Sequence, residues 1–369
     1  MVSGDLTSAV EATPALVIDL PTVERNVAAL AAYAKSHRLN IRPHTKTHKS
    51  IRMARLQVAH GAAGLTAAKL GEAEAMSEAS GDLLIAYPAT DAPRLRRACA
   101  LARRATVRLA IDSAWGVDRA AEAARAAAVT LGILVDLDVG MHRTGVQSPA
   151  ASLELARHVD RSAGVRLDGL FFYPGHVWAA AGRQGDDLAA DDAILAEALG
   201  LWTRSGLEAP IVSGGSTPTA YRSHRVPSQT EIRPGTYLYN DMNTHRAGFC
   251  AIDDCAARLV CTVVSDAVPG KVVIDAGTKT LTSDRNVTQP DSGHGHVVEY
   301  PDAVIVRLSE EHGEIDLSRC DPRRPRVGER VSIVPNHICP CVNLQDSAWL
   351  RHGDGTLEPM RIDARGRLS

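Results

Sequence analysis

Leu39-Asn40-Ile41-Arg42-Pro43-His44-Thr45-Lys46-Thr47-His48-Lys49 runs from a short apolar stretch into a dense cationic turn, after which helical spacing resumes. A strand that ends in reactive polar side chains and then opens a helix is the unit from which barrel and doubly wound enzymes are built. Both keep their chemistry at that end of the strand. An exposed basic loop has the same composition, but its position after a strand and before a helix argues for the first reading. The unit recurs along the chain. Strand-like runs fall at Leu39–Arg42, Gly64–Thr66, Asp82–Ala86, Thr106–Ile111, Leu131–Asp138, Leu167–Tyr173, Pro210–Ser213 and Thr230–Arg233. Helical stretches lie between them at 48–60, 68–79, 91–104, 113–128, 149–160 and 185–206, and another precedes them at 21–37. In that first helix Pro21 suits the opening turn, and Val23, Val27, Leu30 and Ala34 keep helical spacing. Eight strands alternating with helices imply a parallel sheet, and over this length a closed, TIM-like (β/α)8 barrel. An open doubly wound sheet is the alternative, but no Gly-x-Gly-x-x-Gly turn follows the first strand.

Past about residue 245 the texture changes. Helical periodicity fades, and Ala257–Val264, Lys271–Ile274, Ala303–Leu308 and Arg330–Val334 read as strands punctuated by Gly and Pro. Ala15–Asp19 is also strand-like and can join them. The expected organisation is a barrel over 20–245 and a β domain made of 1–19 plus 246–369. Apolar residues at 45% and charged residues at 23% leave ample core for both. A formal charge of −2 offers nothing to nucleic acid or to an anionic membrane. No apolar run approaches the ~20 residues of a membrane span. Met1-Val2-Ser3-Gly4-Asp5 lacks the pattern of a signal peptide, so the chain reads as cytoplasmic. An odd count of seven cysteines then suggests thiols or ligands rather than disulfides.

The strand ends of a barrel converge on one face. Here they deliver Lys46 with His44, the run Asp136 to Gly145 containing Arg143, then Tyr173-Pro174-Gly175-His176, Ser213-Gly214-Gly215-Ser216-Thr217-Pro218-Thr219 and Arg233-Pro234-Gly235-Thr236-Tyr237. Like charge disfavours an ammonium, so a lysine among cations has reason to become the neutral amine that a Schiff base needs. Gly214 and Gly215 let backbone N–H groups approach an anion, and Ser216 and Thr217 add hydroxyls at a helix start. A lysine amine and a phosphate cradle together suggest pyridoxal phosphate. Arg143 could then bond its phenolic oxygen, and Tyr173 could meet its ring or nitrogen. The lining around His176 and Trp178 is where a substrate side chain would go.

A second constellation is Val334-Pro335-Asn336-His337-Ile338-Cys339-Pro340-Cys341. A His-x-Cys pair continuing an apolar strand puts both side chains on one side, spaced for one metal with positions left open. Two buried thiols and a loop histidine would give the same letters. Cys341 continues the alternation but is read as a non-ligand. Cys250, Cys255 and Cys261 lack metal spacing and read as structural thiols. His294-Gly295-His296 and Glu310-Glu311-His312 read as loop residues.

Four of these stretches, Pro43 to Lys49, Ser213 to Pro218, Arg233 to Tyr237 and Pro335 to Cys339, resemble the D-threonine aldolase / D-serine dehydratase family. Its members are fold-type III pyridoxal 5'-phosphate enzymes with an alanine-racemase-like barrel and a C-terminal β domain. The resemblance implies that Lys46 is the Schiff-base lysine and that His44, Arg143 and Tyr173 are its catalytic neighbours. It implies that Gly214, Gly215, Ser216, Thr217 and Tyr237 help hold the cofactor, and that His337 and Cys339 hold a divalent metal. It also implies a homodimer in which one subunit's β domain completes its neighbour's site. Aldolase-type members carry Asp where this chain has Cys339 and prefer Mn²⁺ or Mg²⁺, whereas dehydratase-type members carry Cys and use Zn²⁺. Thiolate selects the softer ion. The expected activity is therefore dehydration of a β-hydroxy-D-amino acid to a 2-oxo acid and ammonia. Retro-aldol cleavage to glycine and an aldehyde is the alternative, with an amino-acid racemase and a pyridoxal phosphate carrier protein behind it.

Overall fold

The computed structural model describes residues 10–320 and 324–369. The chain divides into two compact units. One contains Ala28–Lys46, Ser50–Gly235 and Gly366–Ser369; the other contains the described part of Met1–Val27, Thr47–Lys49 and Thr236–Arg365. In this division the first unit runs to Gly235 and includes the C-terminal tail.

Strand β1 (Ala15–Asp19) and helix α1 (Leu20–Ser36) precede the barrel. The barrel strands are β2 (Asn40–Ile41), β3 (Leu65–Ala67), β4 (Asp82–Ile85), β5 (Thr106–Ile111), β6 (Leu131–Asp136), β7 (Val165–Phe171), β8 (Ile211–Gly214) and β9 (Glu231–Ile232). They pair in the order β2-β9-β8-β7-β6-β5-β4-β3, and every pairing is parallel. The two ends of that series meet. His44 bridges Thr66, and the N–H groups of Ala63, Thr66 and Thr45 donate to Ile41, Pro43 and Thr66 oxygens at 2.8, 2.9 and 2.8 Å. The ring closes, so the expected barrel stands and the open sheet does not.

Leu84, Ala110, Leu134 and Phe171, from β4 to β7, form an apolar patch in the barrel. Other positions, on the same strands and on or next to β2, β8 and β9, supply a polar filling instead. Arg42 Nε donates to both Glu231 oxygens at 2.9 Å, Ser213 Oγ donates to Glu231 Oε1 at 2.6 Å, and Arg233 donates to Ser213 Oγ at 2.8 Å. Arg42 and Arg108 also pair with Asp82, and Arg108 pairs with Asp168. Buried charges persist where partners satisfy them. Outside the ring, helices α2 (Ile51–Ala59), α3 (Leu70–Met76), α4 (Ala92–Ala102), α5 (Ala114–Ala127), α6 (Pro149–Asp160) and α7 (Gly185–Arg204) follow the strands. The side chains of Asp91, Ser113 and Ser148 cap α4, α5 and α6, each accepting an otherwise orphaned N–H.

The second unit is built on a nine-stranded sheet. After α8 (Met242–Arg246) come β10 (Ala257–Ser265), β11 (Lys271–Ile274), α9 (Thr278–Leu281), β12 (Gly295–Val297), β13 (Val304–Leu308), β14 (Gly313–Asp316), β15 (Arg330–Pro335), α10 (Ile338–Leu344), β16 (Ser347–Arg351) and β17 (Leu357–Arg361). Strand β1 joins this sheet as expected, antiparallel to β10 and parallel to β16. Strands β12, β14, β16 and β17 escape a sequence reading. They are short or charged, and β17 is a terminal strand carrying Pro359, a residue that sheets tolerate at edges. No helix among the described residues is long and apolar enough to cross a membrane.

Candidate active site

Of the residues from Arg42 to Lys49, only Lys46 is exposed; His44 is half-buried and the others are buried. The segment is therefore not a solvated basic loop. Arg42 is not a free cation beside the lysine either, because its guanidinium is spent on Glu231 and Asp82. The bridge to Thr66 holds the strand end. The Lys46 N–H donates to His44 Nδ1 at 3.4 Å, which leaves Nε2 to carry the ring proton in neutral His44. The expected helix at 48 begins only at Ile51.

Lys46 opens into a cavity of about 360 Å³ in the barrel unit, lined also by His44, Arg143, Tyr173 and Gly215. Arg143 lies 4.7 Å from the Tyr173 ring centre, close enough for a cation–π contact. Its loop is fixed at the base. Leu137 bridges Val146, Val146 N–H donates to Asp136 O at 2.9 Å, and the Thr144 hydroxyl donates to Asp136 Oδ2 at 2.8 Å. Tyr173 is set by the turn after β7. A Cβ on Gly175 would lie 2.1 Å from the tyrosine ring, so only glycine lets this chain fold back against it.

The cradle expected at the end of β8 differs in detail. Gly215 lines the cavity at φ +78, a conformation suited to glycine. Gly214 does not line it. A Cβ there would fall 2.0 Å from Phe172, so this glycine makes room for a barrel side chain rather than for an anion. No α-helix opens at Ser216. A turn holds Ser216 to Thr219, with Ser216 N–H donating to Thr219 Oγ1 at 3.1 Å, and a short 3-10 helix follows at Ala220–Arg225. Thr217 is half-buried in that turn. Tyr237 is buried in the 3-10 turn Thr236–Leu238 of the second unit. His176 and Trp178 are not among the cavity's lining residues; His176 Nε2 instead faces the buried Asp191 at 3.5 Å.

Two further residues of the wall are Asp136 and Arg233. Burial pushes the Asp136 carboxyl up to about 6; Thr144 opposes this, Asp112 adds to it, and Arg233 and Arg143 oppose it. Asp136 lies at the end of a strand whose importance the sequence does show. Its burial, which sets its chemistry, is not visible there.

In the second unit, His337 and Cys339 do come together, but not as strand neighbours. Strand β15 stops at Pro335, His337 is the N-cap of α10, and Cys339 lies in the first helical turn. Pro340 permits this, because first-turn N–H groups have no helical acceptor to lose. Cys341, further along α10, is wholly buried and donates to Leu281 O at 3.1 Å, so it faces away from a shared ion. Burial disfavours the His337 imidazolium, yet hydrogen bonding to Cys339, nearby negative charge and Asp284 push its pKa up to about 9. His337 Nδ1 lies 2.9 Å from Asp284 Oδ2. Cys339 Sγ lies 3.2 Å from Thr47 Oγ1 and 3.6 Å from Thr236 Oγ1. With Nδ1 engaged by Asp284, Nε2 is the nitrogen left for the cysteine. An imidazole nitrogen and a sulfur side by side are a donor set that fits a borderline-soft divalent ion. Among the described residues no group of three or more His, Cys, Asp or Glu could hold a metal. His294-Gly295-His296 is not simply loop: Gly295 and His296 lie in β12, where His296 pairs with Val334 of β15, whereas Glu310 to His312 do lie outside helices and strands. The described cysteines are free thiols, and Glu310 and Glu311 pair with Lys279.

Residues 18–243 match the family of the alanine racemase N-terminal domain, and 256–350 match the putative serine dehydratase domain. The chain is 33% identical to the D-threo-3-hydroxyaspartate dehydratase of Delftia sp. (strain HT23), covering 89% of this chain and 90% of that protein. It is 30% identical to the D-threonine aldolase of Arthrobacter sp, over 96% of this chain and 93% of that one. The crystal structure of D-threonine aldolase from Filomicrobium marinum has a TM-score of 0.89 at 30% identity, covering 97% of each chain.

Proposed function

The chain belongs to the D-threonine aldolase / D-serine dehydratase family of fold-type III pyridoxal phosphate lyases acting on β-hydroxy-D-amino acids, and we propose that its reaction is dehydration. Water leaves from Cα and Cβ and is taken up again on hydrolysis, so the net products are a 2-oxo acid and ammonia. The observation that carries this choice is Cys339 beside His337. A nitrogen–sulfur pair suits zinc, and zinc goes with elimination in the family resemblance.

When bound, pyridoxal phosphate supplies an electron sink for the charge that develops at the substrate's Cα. A divalent metal, which His337 and Cys339 would hold, would supply Lewis acidity for departure of a hydroxyl, otherwise a poor leaving group. The chain's own residues do the rest in this reading. Lys46, the exposed amine of the cavity, would carry the cofactor and hold the Cα proton on Nζ. His44 stands beside it with a defined ring tautomer. Arg143, seated on the Tyr173 ring, would donate to the cofactor's phenolic oxygen, and Tyr173 would meet its ring. Gly215 and the Ser216–Thr217 turn would receive the phosphate, and Tyr237 would help hold the same cofactor. The protein is a homodimer in this reading, checked by its mass in sedimentation.

Retro-aldol cleavage uses the same residues, and the 30% identity to a D-threonine aldolase keeps it as the second reading. The test is product analysis with purified protein, pyridoxal phosphate and Zn²⁺ or Mn²⁺ on D-serine, D-threonine and 3-hydroxy-D-aspartate. Ammonia with a 2-oxo acid, lost on chelation, is the expected result. Glycine with an aldehyde would replace dehydration by cleavage.

A further inference from the structure

The carboxylate of Asp284 has no place in the cavity chemistry and no role in the ligand pair, yet it is held with care. Its Oδ2 is 2.9 Å from His337 Nδ1. Both side chains are about two-fifths exposed, at 42% for Asp284 and 40% for His337. Exposed pairs of that kind are commonly worth little. Here, however, the backbone beneath both partners is fixed. Asn336, buried and next to His337, donates from Nδ2 to Asp284 O at 3.1 Å and to Gly293 O at 2.8 Å. Just beyond Asp284, Asn286 donates to Met242 O at 2.9 Å, and Val287 N–H donates to Asn243 Oδ1 at 2.8 Å. On the other side of the histidine, Ile338 N–H donates to Asp241 Oδ2 at 3.1 Å. The carboxylate and the imidazole are thus presented to each other by two anchored loops.

We infer that Asp284 is a positioning residue for the metal. By accepting from Nδ1 of His337, it holds the ring so that Nε2 is the nitrogen turned to the side of Cys339 and to an ion there. A ligating imidazole whose far nitrogen donates to a carboxylate is better oriented and more basic, and losing that partner typically costs 10–100-fold in metal affinity. Asp284 is not a third ligand, since no three-residue donor group exists among the described residues. Cys339 has matching support, with the Thr47 and Thr236 hydroxyls on its sulfur. The inference rests on the reading of His337 and Cys339 as ligands.

The experiment measures Zn²⁺ affinity, by competition with a chromophoric chelator, for the pyridoxal phosphate-loaded protein and for Asp284→Ala, Asp284→Asn and His337→Ala. Asp284 is partly exposed, so its substitution leaves the fold intact, and unchanged pyridoxal absorbance checks this. Asp284→Ala is expected to bind Zn²⁺ about 10–100-fold more weakly. Asp284→Asn is expected to recover part of the loss, because its amide oxygen still accepts from Nδ1–H; simple loss of packing would not be rescued in this way. With Co²⁺ in place of Zn²⁺, the sulfur-to-metal charge-transfer band is expected to survive in Asp284→Ala. Wild-type affinity in Asp284→Ala, with binding lost in His337→Ala, would overturn the inference and leave the ligand reading standing. Undiminished Zn²⁺ binding in His337→Ala, or none in the wild type, would overturn the ligand reading and the inference with it.

Discussion

Replacing Asp136 by Asn tests the dryness of the candidate site directly. The carboxyl is 4% exposed, and burial lifts it from its usual 3.8 to about 6. That is about two pH units, or about 3 kcal/mol at 1.36 kcal/mol per unit. Because the folded chain holds this proton more tightly than the unfolded chain, the contribution is fully present below about pH 4. It is lost as pH rises to about 6, with a slope of at most about 1.4 kcal/mol per pH unit. Asparagine cannot titrate, and its amide oxygen can still accept from Thr144. The stability of wild type relative to Asp136→Asn should therefore fall by about 3 kcal/mol between pH 4 and 6.5 and then stay level. For a unit of this size each kcal/mol moves the midpoint by about 2–4 °C, so the relative shift is about 6–12 °C. Thermal unfolding followed by circular dichroism, on protein freed of pyridoxal phosphate, reads this. A difference between the two proteins that stays constant from pH 4 to 7 would refute the argument. It would mean that water reaches Asp136 or that Arg143 and Arg233 outweigh its burial.

Lys46→Ala should abolish the yellow absorbance of bound pyridoxal phosphate near ~420 nm, and survival of the colour would remove Lys46 from its role. Gly214→Ala forces a methyl to within 2.0 Å of the Phe172 ring. It should cost about 1–3 kcal/mol in thermal or urea unfolding, and an unchanged midpoint would show that the ring has room to move. Cys339→Asp exchanges a thiolate for a carboxylate, so the bound metal should move from Zn²⁺ toward Mn²⁺ or Mg²⁺. Metal content after dialysis against a mixture of the three checks this, and undisturbed zinc selectivity would mean that Cys339 is not a ligand.

The barrel was legible because its signal is repeated: alternating strand and helix patterns leave few other folds open. The second sheet was half legible. Ala257–Ser265 and Lys271–Ile274 show clear apolar character, but Gly313–Asp316 and Leu357–Arg361 depend on neighbours for their pairing and carry no local pattern. The His-x-Cys pair is legible through strand alternation, a geometry that the structure replaces. Alternation in a strand and the N-cap-to-N2 step of a helix both bring residues two apart together, so the spacing was informative while the element was not. Asp284 had no signal, because it sits 53 residues from its histidine in an unremarkable Ser-Asp-Arg stretch.

Arg42 shows why chemistry is harder to read than fold. In sequence it is a cation close to Lys46, four residues away. Its partner, Glu231, is 189 residues away, and only barrel closure brings the two together. The consequence reaches the site. Arg42 stands at the end of β2, Ser213 lies on β8 just before Gly214, and Arg233 follows β9. Glu231 binds Arg42 and Ser213, and Ser213 binds Arg233. One buried network therefore ties together the three strand ends that carry Lys46, the Gly215 turn and the Arg233 wall. An apolar core of equal volume would be no less stable, because burying ions costs much of what pairing returns. Directional bonds, however, fix register between strands far apart in sequence. A site whose parts come from β2, β8 and β9 depends on that register, since a group displaced by about 1 Å loses most of its catalytic value.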